Sequence, residues 1–262
     1  MRLRWFAGTL YTPPVPQGVI VVSDAHLGFA PESVTRAFHC FLEAVPSLGD
    51  HLVVNGDLFE FWFEYRAVIP RAAFSTLEAL AAVRRTGVRI TVTGGNHDRW
   101  GGEFWRRDLG AEFHEEVVDL DLAGFKALVS HGDGVGDEPG GARLMHAVTR
   151  HPLTARVFRW IHPDVGLALV RRMSPFMAGK TRDQAVIQRF AEQQADYARR
   201  LLARRPDLDL VVLGHTHRSA LIPVGERRWY LNPGAWMDGY CYAMITPEGP
   251  TLERFETAGT TK

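Results

Sequence analysis

The chain has 262 residues, 46% of them hydrophobic and 23% charged, which is enough to bury a large core and is typical of a globular protein. Thirty basic and thirty acidic residues give a formal net charge of zero, which argues against a polyanion-binding surface and against nucleic acid as a partner. No stretch approaches the roughly 20 apolar residues that span a bilayer, and residues 1–14 lack the apolar core of a signal peptide. The expected location is the cytoplasm, with peripheral contact to the cytoplasmic face of a membrane left open.

Val19-Ile20-Val21-Val22 is a continuous apolar run, as expected of a strand buried on both faces, and it delivers Asp24 and His26. Ser33 to Val45 carries apolar residues at helical spacing, so a helix packs back on the sheet. Leu52-Val53-Val54 is a second strand and ends at Asn55-Gly56-Asp57. A helix from about Arg71 to Thr86 leads to a third strand, Val88 to Thr93, which ends at Gly94-Gly95-Asn96-His97-Asp98. These βαβ crossovers predict parallel pairing. Val117 to Leu122 and Lys126 to Val129 form a hairpin that supplies His131 and opens a second, more antiparallel sheet. A helix from about Asp183 to Arg205 precedes the strand Leu208 to Leu213, which ends at Gly214-His215-Thr216-His217. Four short strands follow, at Ser219–Pro223, Arg228–Asn232, Cys241–Thr246 and Leu252–Phe255. Cys40 and Cys241 lack metal or redox spacing and are expected as reduced core thiols.

The whole pattern predicts an α/β fold of two packed mixed sheets with helices outside, in a single domain over 1–262. A helical insertion at about 134–180 exceeds what the sheets need. It interleaves Leu144, Met145, Val148, Leu153, Val157, Phe158, Trp160, Val165, Leu169, Met173 and Phe176 with Arg143, Arg150, Arg156, Arg159, Arg171, Arg172 and Lys180. Two readings stand side by side: core helices with solvated basic faces, or a cap that lines the site for a hydrophobic, phosphate-bearing ligand.

Asp-x-His or His-x-His alone is commonly turn chemistry. Five such elements in order, each after a strand, point to a dinuclear metal centre. Asp57, with two oxygens and a full charge, is the natural bridge; Asp24, His26 and His217 serve one ion, and Asn96, His131 and His215 the other. Imidazole, carboxylate and amide without thiolate suit Mn²⁺ first, with Fe²⁺ or Zn²⁺ as alternatives, and suit catalysis rather than a structural zinc. Such ions acidify water and neutralise charge on a phosphoryl group. His97 is the candidate general acid and, with Asp57, the candidate catalytic pair. Arg99, Glu138, Arg172 and Arg218 are candidates for binding substrate.

The series Asp24-x-His26, Gly56-Asp57, Gly95-Asn96-His97-Asp98, His131-Gly132 and Gly214-His215-x-His217 resembles the calcineurin-like metallophosphoesterase superfamily over residues 18 to 246. The resemblance implies a four-layer α/β/β/α sandwich with two metals at the strand ends. Within that superfamily the chain resembles the UDP-2,3-diacylglucosamine hydrolases of lipid A synthesis. The residues that carry this are Asp24-Ala25-His26-Leu27, Gly56-Asp57-Leu58-Phe59 with Trp62, His131-Gly132-Asp133 with Asp137-Glu138, and Arg171-Arg172-Met173-Ser174. It implies an acyl-chain cap and cleavage of a nucleotide-lipid diphosphate to UMP and the lipid 1-phosphate. The sequence departs from those hydrolases at His97, where they carry arginine. An alternative is a phosphomonoesterase or phosphodiesterase of the same fold acting on another lipid or a soluble nucleotide. A non-catalytic scaffold is a remote third reading, since no metal ligand is missing.

Overall fold

The computed structural model describes residues 17–136, 147–169, 172 and 184–257. Two mixed sheets pack face to face, with helices on both outer faces. The first sheet has the order β11-β10-β1-β2-β3-β4. It is built from β1 (Val19–Val22), β2 (His51–Asn55), β3 (Arg89–Thr93), β4 (Glu112–His114), β10 (Cys241–Thr246) and β11 (Gly249–Arg254). The second has the order β5-β6-β7-β9-β8. Its strands are β5 (Val117–Leu122), β6 (Phe125–Ser130), β7 (Leu210–Val212), β8 (Ala220–Gly225) and β9 (Arg228–Asn232).

The four layers follow from the two-residue period of a strand. In β1, Val19 and Val21 point into the space between the sheets, where they meet Val53, Ala127, Val129, Leu210 and Val212. Ile20 and Val22 point the other way, onto α1 (Glu32–Leu48) and α2 (Phe74–Arg85). The stripe Val34, Ala37, Phe38, Phe41, Leu42 and Val45 of α1 is buried there. On the far side, Leu128, Val211, Leu213 and Tyr230 receive Ala195, Ala198 and Leu202 of a long helix, Gln184–Arg204.

The structure corrects the expectation of core thiols. Cys40 is exposed, because position 40 falls on the solvent side of α1, away from its apolar stripe; Cys241 is half-buried at the start of β10. Both sheets are mixed, as the sequence predicts: in the second, β6–β7 and β7–β9 pair parallel, β5–β6 and β8–β9 antiparallel. The C-terminal strands also divide between the sheets, with β10 and β11 closing the edge of the first beside β1.

Of the helical insertion, Glu138, Arg143, Leu144, Met145, Arg171, Met173, Phe176 and Lys180 lie outside the described residues. The described part holds helices at Pro152–Phe158 and 163–169. Phe158 packs on Phe61, Phe63 and Trp100, and Trp100 Nε1 donates to the Thr149 carbonyl at 2.9 Å. The insertion is thereby tied to the loops that follow β2 and β3.

His51 opens β2 as a buried neutral base, with Nε2 2.9 Å from Thr91 Oγ1. Burial, then the Arg89 charge, pulls its pKa from 6.5 down to about 4. Between these values the unfolded chain binds a proton that the folded chain does not. Stability is therefore complete above pH 6.5 and declines as pH falls toward 4. The expected loss from this residue between pH 7.5 and 5 is about 2 kcal/mol. Urea unfolding of wild type and His51→Gln at both pH values checks this: the variant should lose less, and equal losses would contradict it.

Candidate metal centre

Strands β1, β2 and β3 run parallel in one sheet, and β6 and β7 run parallel in the other. The loops leaving their carboxyl ends carry Asp24 and His26, Asp57, Asn96 and His97, His131, and His215 and His217. Asp24, His26, Asp57, His215 and His217 all have φ between 47° and 68°. Among the described residues only eight non-glycine positions do, so five of eight left-handed residues fall in these loops. Such strain, of order 1–3 kcal/mol per residue, persists where function requires the geometry. Gly56 sits at φ 78° against the His131 ring, where a Cβ would collide; the loop passes only as glycine.

The side chains converge. Asp24 Oδ1 lies 3.4 Å from His217 Nε2, 3.9 Å from His131 Nε2 and 4.0 Å from His26 Nε2. Asp57 Oδ2 lies 3.2 Å from His131 Nε2 and 3.8 Å from His26 Nε2. Asp24, His26 and His217 offer ligand atoms within 4.8 Å of one another, and so do Asp57, His131 and His215. The first group holds the residues assigned from the sequence to one ion, and the second joins His131 and His215 to Asp57, the expected bridge. A third group, His26, Glu60 and His97, brings in a carboxylate that the sequence reading did not single out.

The donor set fits divalent cations. Asp24 Oδ1, His26 Nε2 and Asn96 Oδ1 are buried without a hydrogen-bond partner. An unmade bond at such an atom costs about 1–3 kcal/mol, so each of these candidate ligand atoms calls for a partner. The field of the site says the same. Burial lowers the pKa of His26, yet Glu60, Asp57 and Asp24 more than offset it and bring it to about 9. Burial acts likewise on His131, and the Asp57 and Asp24 charges hold it well above its usual value. Asp57 is raised by burial but held well below the usual carboxylate range by His131, His97 and His26. Desolvation, then the charge of neighbouring His131, lowers His215 to about 4. The carboxylates thus demand positive charge at this spot.

Supporting contacts fix the loops. Asp98 is buried, and its carboxylate accepts from the backbone N–H of Leu58 (2.7 Å), Gly95 (2.8 Å) and Asp57 (3.1 Å), so it templates both loops. Gln194, buried on the long helix, donates to the carbonyls of Gly214 (3.1 Å) and Gly132 (3.3 Å) and accepts from Tyr230 Oη (3.1 Å). Asn232 donates to the Gly214 carbonyl at 3.0 Å. His97 donates its backbone N–H to Asp57 Oδ1 at 3.0 Å, and its Nδ1 donates to the Glu60 carbonyl at 2.8 Å.

The candidate substrate contacts are less concentrated. Arg99 is buried and paired with Asp133 (2.5 Å) and Glu116 (2.8 Å), beside Arg150, which also reaches Asp133 at 3.2 Å. Arg218 is exposed and donates to Gln184 at 2.7 Å. Arg172 is exposed, and Glu138 lies outside the described residues.

Residues 18–219, which carry every loop of this site, match the calcineurin-like phosphoesterases. The chain belongs to the calcineurin-like phosphoesterase family. The family implies divalent metals, and its reaction is hydrolysis of a phosphoric ester or diphosphate bond. Among its curated relatives are three proteins named UDP-2,3-diacylglucosamine hydrolase. The one from Porphyromonas gingivalis is 28% identical over 91% of this chain and 97% of its own. That of Aeromonas salmonicida is 30% identical over 90% and 92%, and that of Pseudomonas savastanoi pv. phaseolicola 28% over 91% and 96%. Of solved structures, Vps29 from Chaetomium thermophilum aligns over 94% of this chain and 93% of its own at 9% identity, with a TM-score of 0.47.

Proposed function

We propose that this phosphoesterase hydrolyses UDP-2,3-diacylglucosamine to UMP and 2,3-diacylglucosamine 1-phosphate, a step of lipid A synthesis. Asp24, His26 and His217 would hold one divalent cation and Asn96, His131 and His215 a second, with Asp57 available to both. The thiolate-free donor set favours Mn²⁺, with Fe²⁺ or Zn²⁺ as alternatives. Such ions, when bound, supply positive charge to phosphoryl oxygens and acidify water.

One juxtaposition carries the choice of substrate. An apolar pocket is lined by Leu27, Phe29, Phe59, Phe61, Pro70 and Leu167, with Arg71 at its wall. Leu27 follows a metal-ligand candidate in sequence, Phe59 and Phe61 flank Glu60, and Leu167 comes from the insertion. A ligand with a phosphate at the carboxylate-histidine cluster and a hydrocarbon chain in this pocket suits both. The relatives named UDP-2,3-diacylglucosamine hydrolase support the same chemistry. His97 gives its Nδ1–H to the Glu60 carbonyl, which leaves Nε2 as the ring nitrogen for proton exchange with a substrate.

No helix among the described residues is long and apolar enough to cross a membrane. The insertion nevertheless exposes Trp160 (91%), Val157 (63%), Val165 (59%) and Leu153 (55%), with exposed Arg156 and Arg159 between them. An apolar face edged by arginine suits peripheral contact with the membrane that holds the lipid substrate.

The test is a product assay with Mn²⁺, supplying UDP-2,3-diacylglucosamine and, in parallel, bis-p-nitrophenyl phosphate. Release of UMP from the lipid supports the reading. Cleavage of the generic ester alone would discard this substrate while leaving a phosphoester hydrolase.

A further inference from the structure

Three candidate ligand histidines turn Nδ1 to a defined acceptor, and the acceptors are not alike. His26 Nδ1 meets Glu60 Oε2 at 2.7 Å, and His217 Nδ1 meets Asp238 Oδ2 at 2.8 Å. His131 Nδ1 instead meets the Asn55 backbone carbonyl at 3.0 Å. A carboxylate only accepts, so Nδ1 of His26 and His217 carries the proton and Nε2 presents its lone pair inward. Both Nε2 atoms face Asp24 Oδ1, at 4.0 and 3.4 Å. A carboxylate behind an imidazole also makes it a stronger donor than a neutral carbonyl does.

Both carboxylates are anchored to the loops they serve. The Glu60 N–H donates to the Leu27 carbonyl at 3.1 Å, one residue past His26. Asp238 closes a 3₁₀ turn, Trp236–Asp238, whose fully buried Trp236 donates its N–H to the Ser23 carbonyl at 2.9 Å. The next N–H, of Met237, reaches the Asp24 carbonyl at 3.3 Å. Asp238 lies beyond residues 18–219, the span matched by the family.

We propose that Glu60 and Asp238 are positioning residues: by holding His26 and His217 in one tautomer and orientation, they make the Asp24–His26–His217 position the tighter of two unequal cation positions. This rests on the two-cation reading above. The Asp57–His131–His215 position, with a carbonyl behind His131 and an amide in Asn96, is the weaker.

The experiment is a Mn²⁺ titration of chelator-stripped full-length protein, read from the electron paramagnetic resonance signal of free Mn²⁺. Wild type should bind two ions in two steps. Glu60→Gln and Asp238→Asn should each weaken the tighter step by about 10–100-fold and leave the other nearly unchanged. Asp238→Glu, which keeps the carboxylate, should retain most of the affinity. Two ions bound with unchanged affinity in the variants, or both steps weakened alike, would overturn the proposal and leave the two-cation reading standing. Fewer than two ions in wild type would overturn both. The Asp238 side chain is 55% exposed against 12% for Glu60, so Asp238→Asn carries the test if Glu60→Gln does not fold.

Discussion

Replacing Asp57 by asparagine should lower metal-dependent turnover by about a thousandfold or more, equivalent to about 4 kcal/mol of transition-state stabilisation. Asparagine tolerates the left-handed backbone at this position, φ 51°, and can still accept the His97 N–H. What it loses is charge. Asp57 Oδ2 faces His131 Nε2 at 3.2 Å and His26 Nε2 at 3.8 Å, so one carboxylate oxygen reaches a histidine of each ligand group. An amide cannot serve two cations as a carboxylate does. Steady-state rates with Mn²⁺, alongside a thermal unfolding curve to confirm folding, check this. Wild-type rates in Asp57→Asn would contradict a shared-carboxylate mechanism.

The second large effect is selective. His97→Ala keeps the backbone N–H that bonds Asp57 but removes the ring that lies 4.9 Å from His26. An alkoxide leaving group needs a proton as its bond to phosphorus breaks, and a positioned acid supplies roughly 10²–10⁴-fold. A phosphate leaving group, with its second pKa of about 6, needs little help. The variant should therefore lose about a hundredfold or more on alkyl phosphoesters. On p-nitrophenyl esters and on the nucleotide-lipid diphosphate it should lose much less. Paired kcat values on the two substrate types decide it. Equal losses would make His97 a positional residue.

Much of this site can be read from the sequence because parallel strands buried on both faces must be apolar throughout. Val19–Val22, Leu52–Val54 and Leu210–Val212 stand out, and the polar residues that follow them stand out in turn. Each ligand lies within a few residues of its strand, so local pattern suffices. The residues that hold the ligands leave no such mark. Glu60 serves His26 across 34 positions and Asp238 serves His217 across 21, and neither sits in a periodic pattern. Gln194 is one polar position in a helix with many, and only the fold turns it toward Gly132 and Gly214. Asp98 is visible as part of Asn96-His97-Asp98, but its work, accepting backbone N–H groups from two loops, depends on tertiary approach. β4 has three residues, too few for a period to register. Arg99 follows the ligand loop as a phosphate-binding arginine would, yet the fold surrounds it with Asp133 and Glu116.

The most direct measurement is anomalous diffraction from crystals soaked in Mn²⁺, collected near the manganese edge. Two peaks should appear, one among Asp24, His26 and His217 and one among Asn96, His131 and His215, with Asp57 between them. A single peak, or peaks away from these residues, would contradict the account.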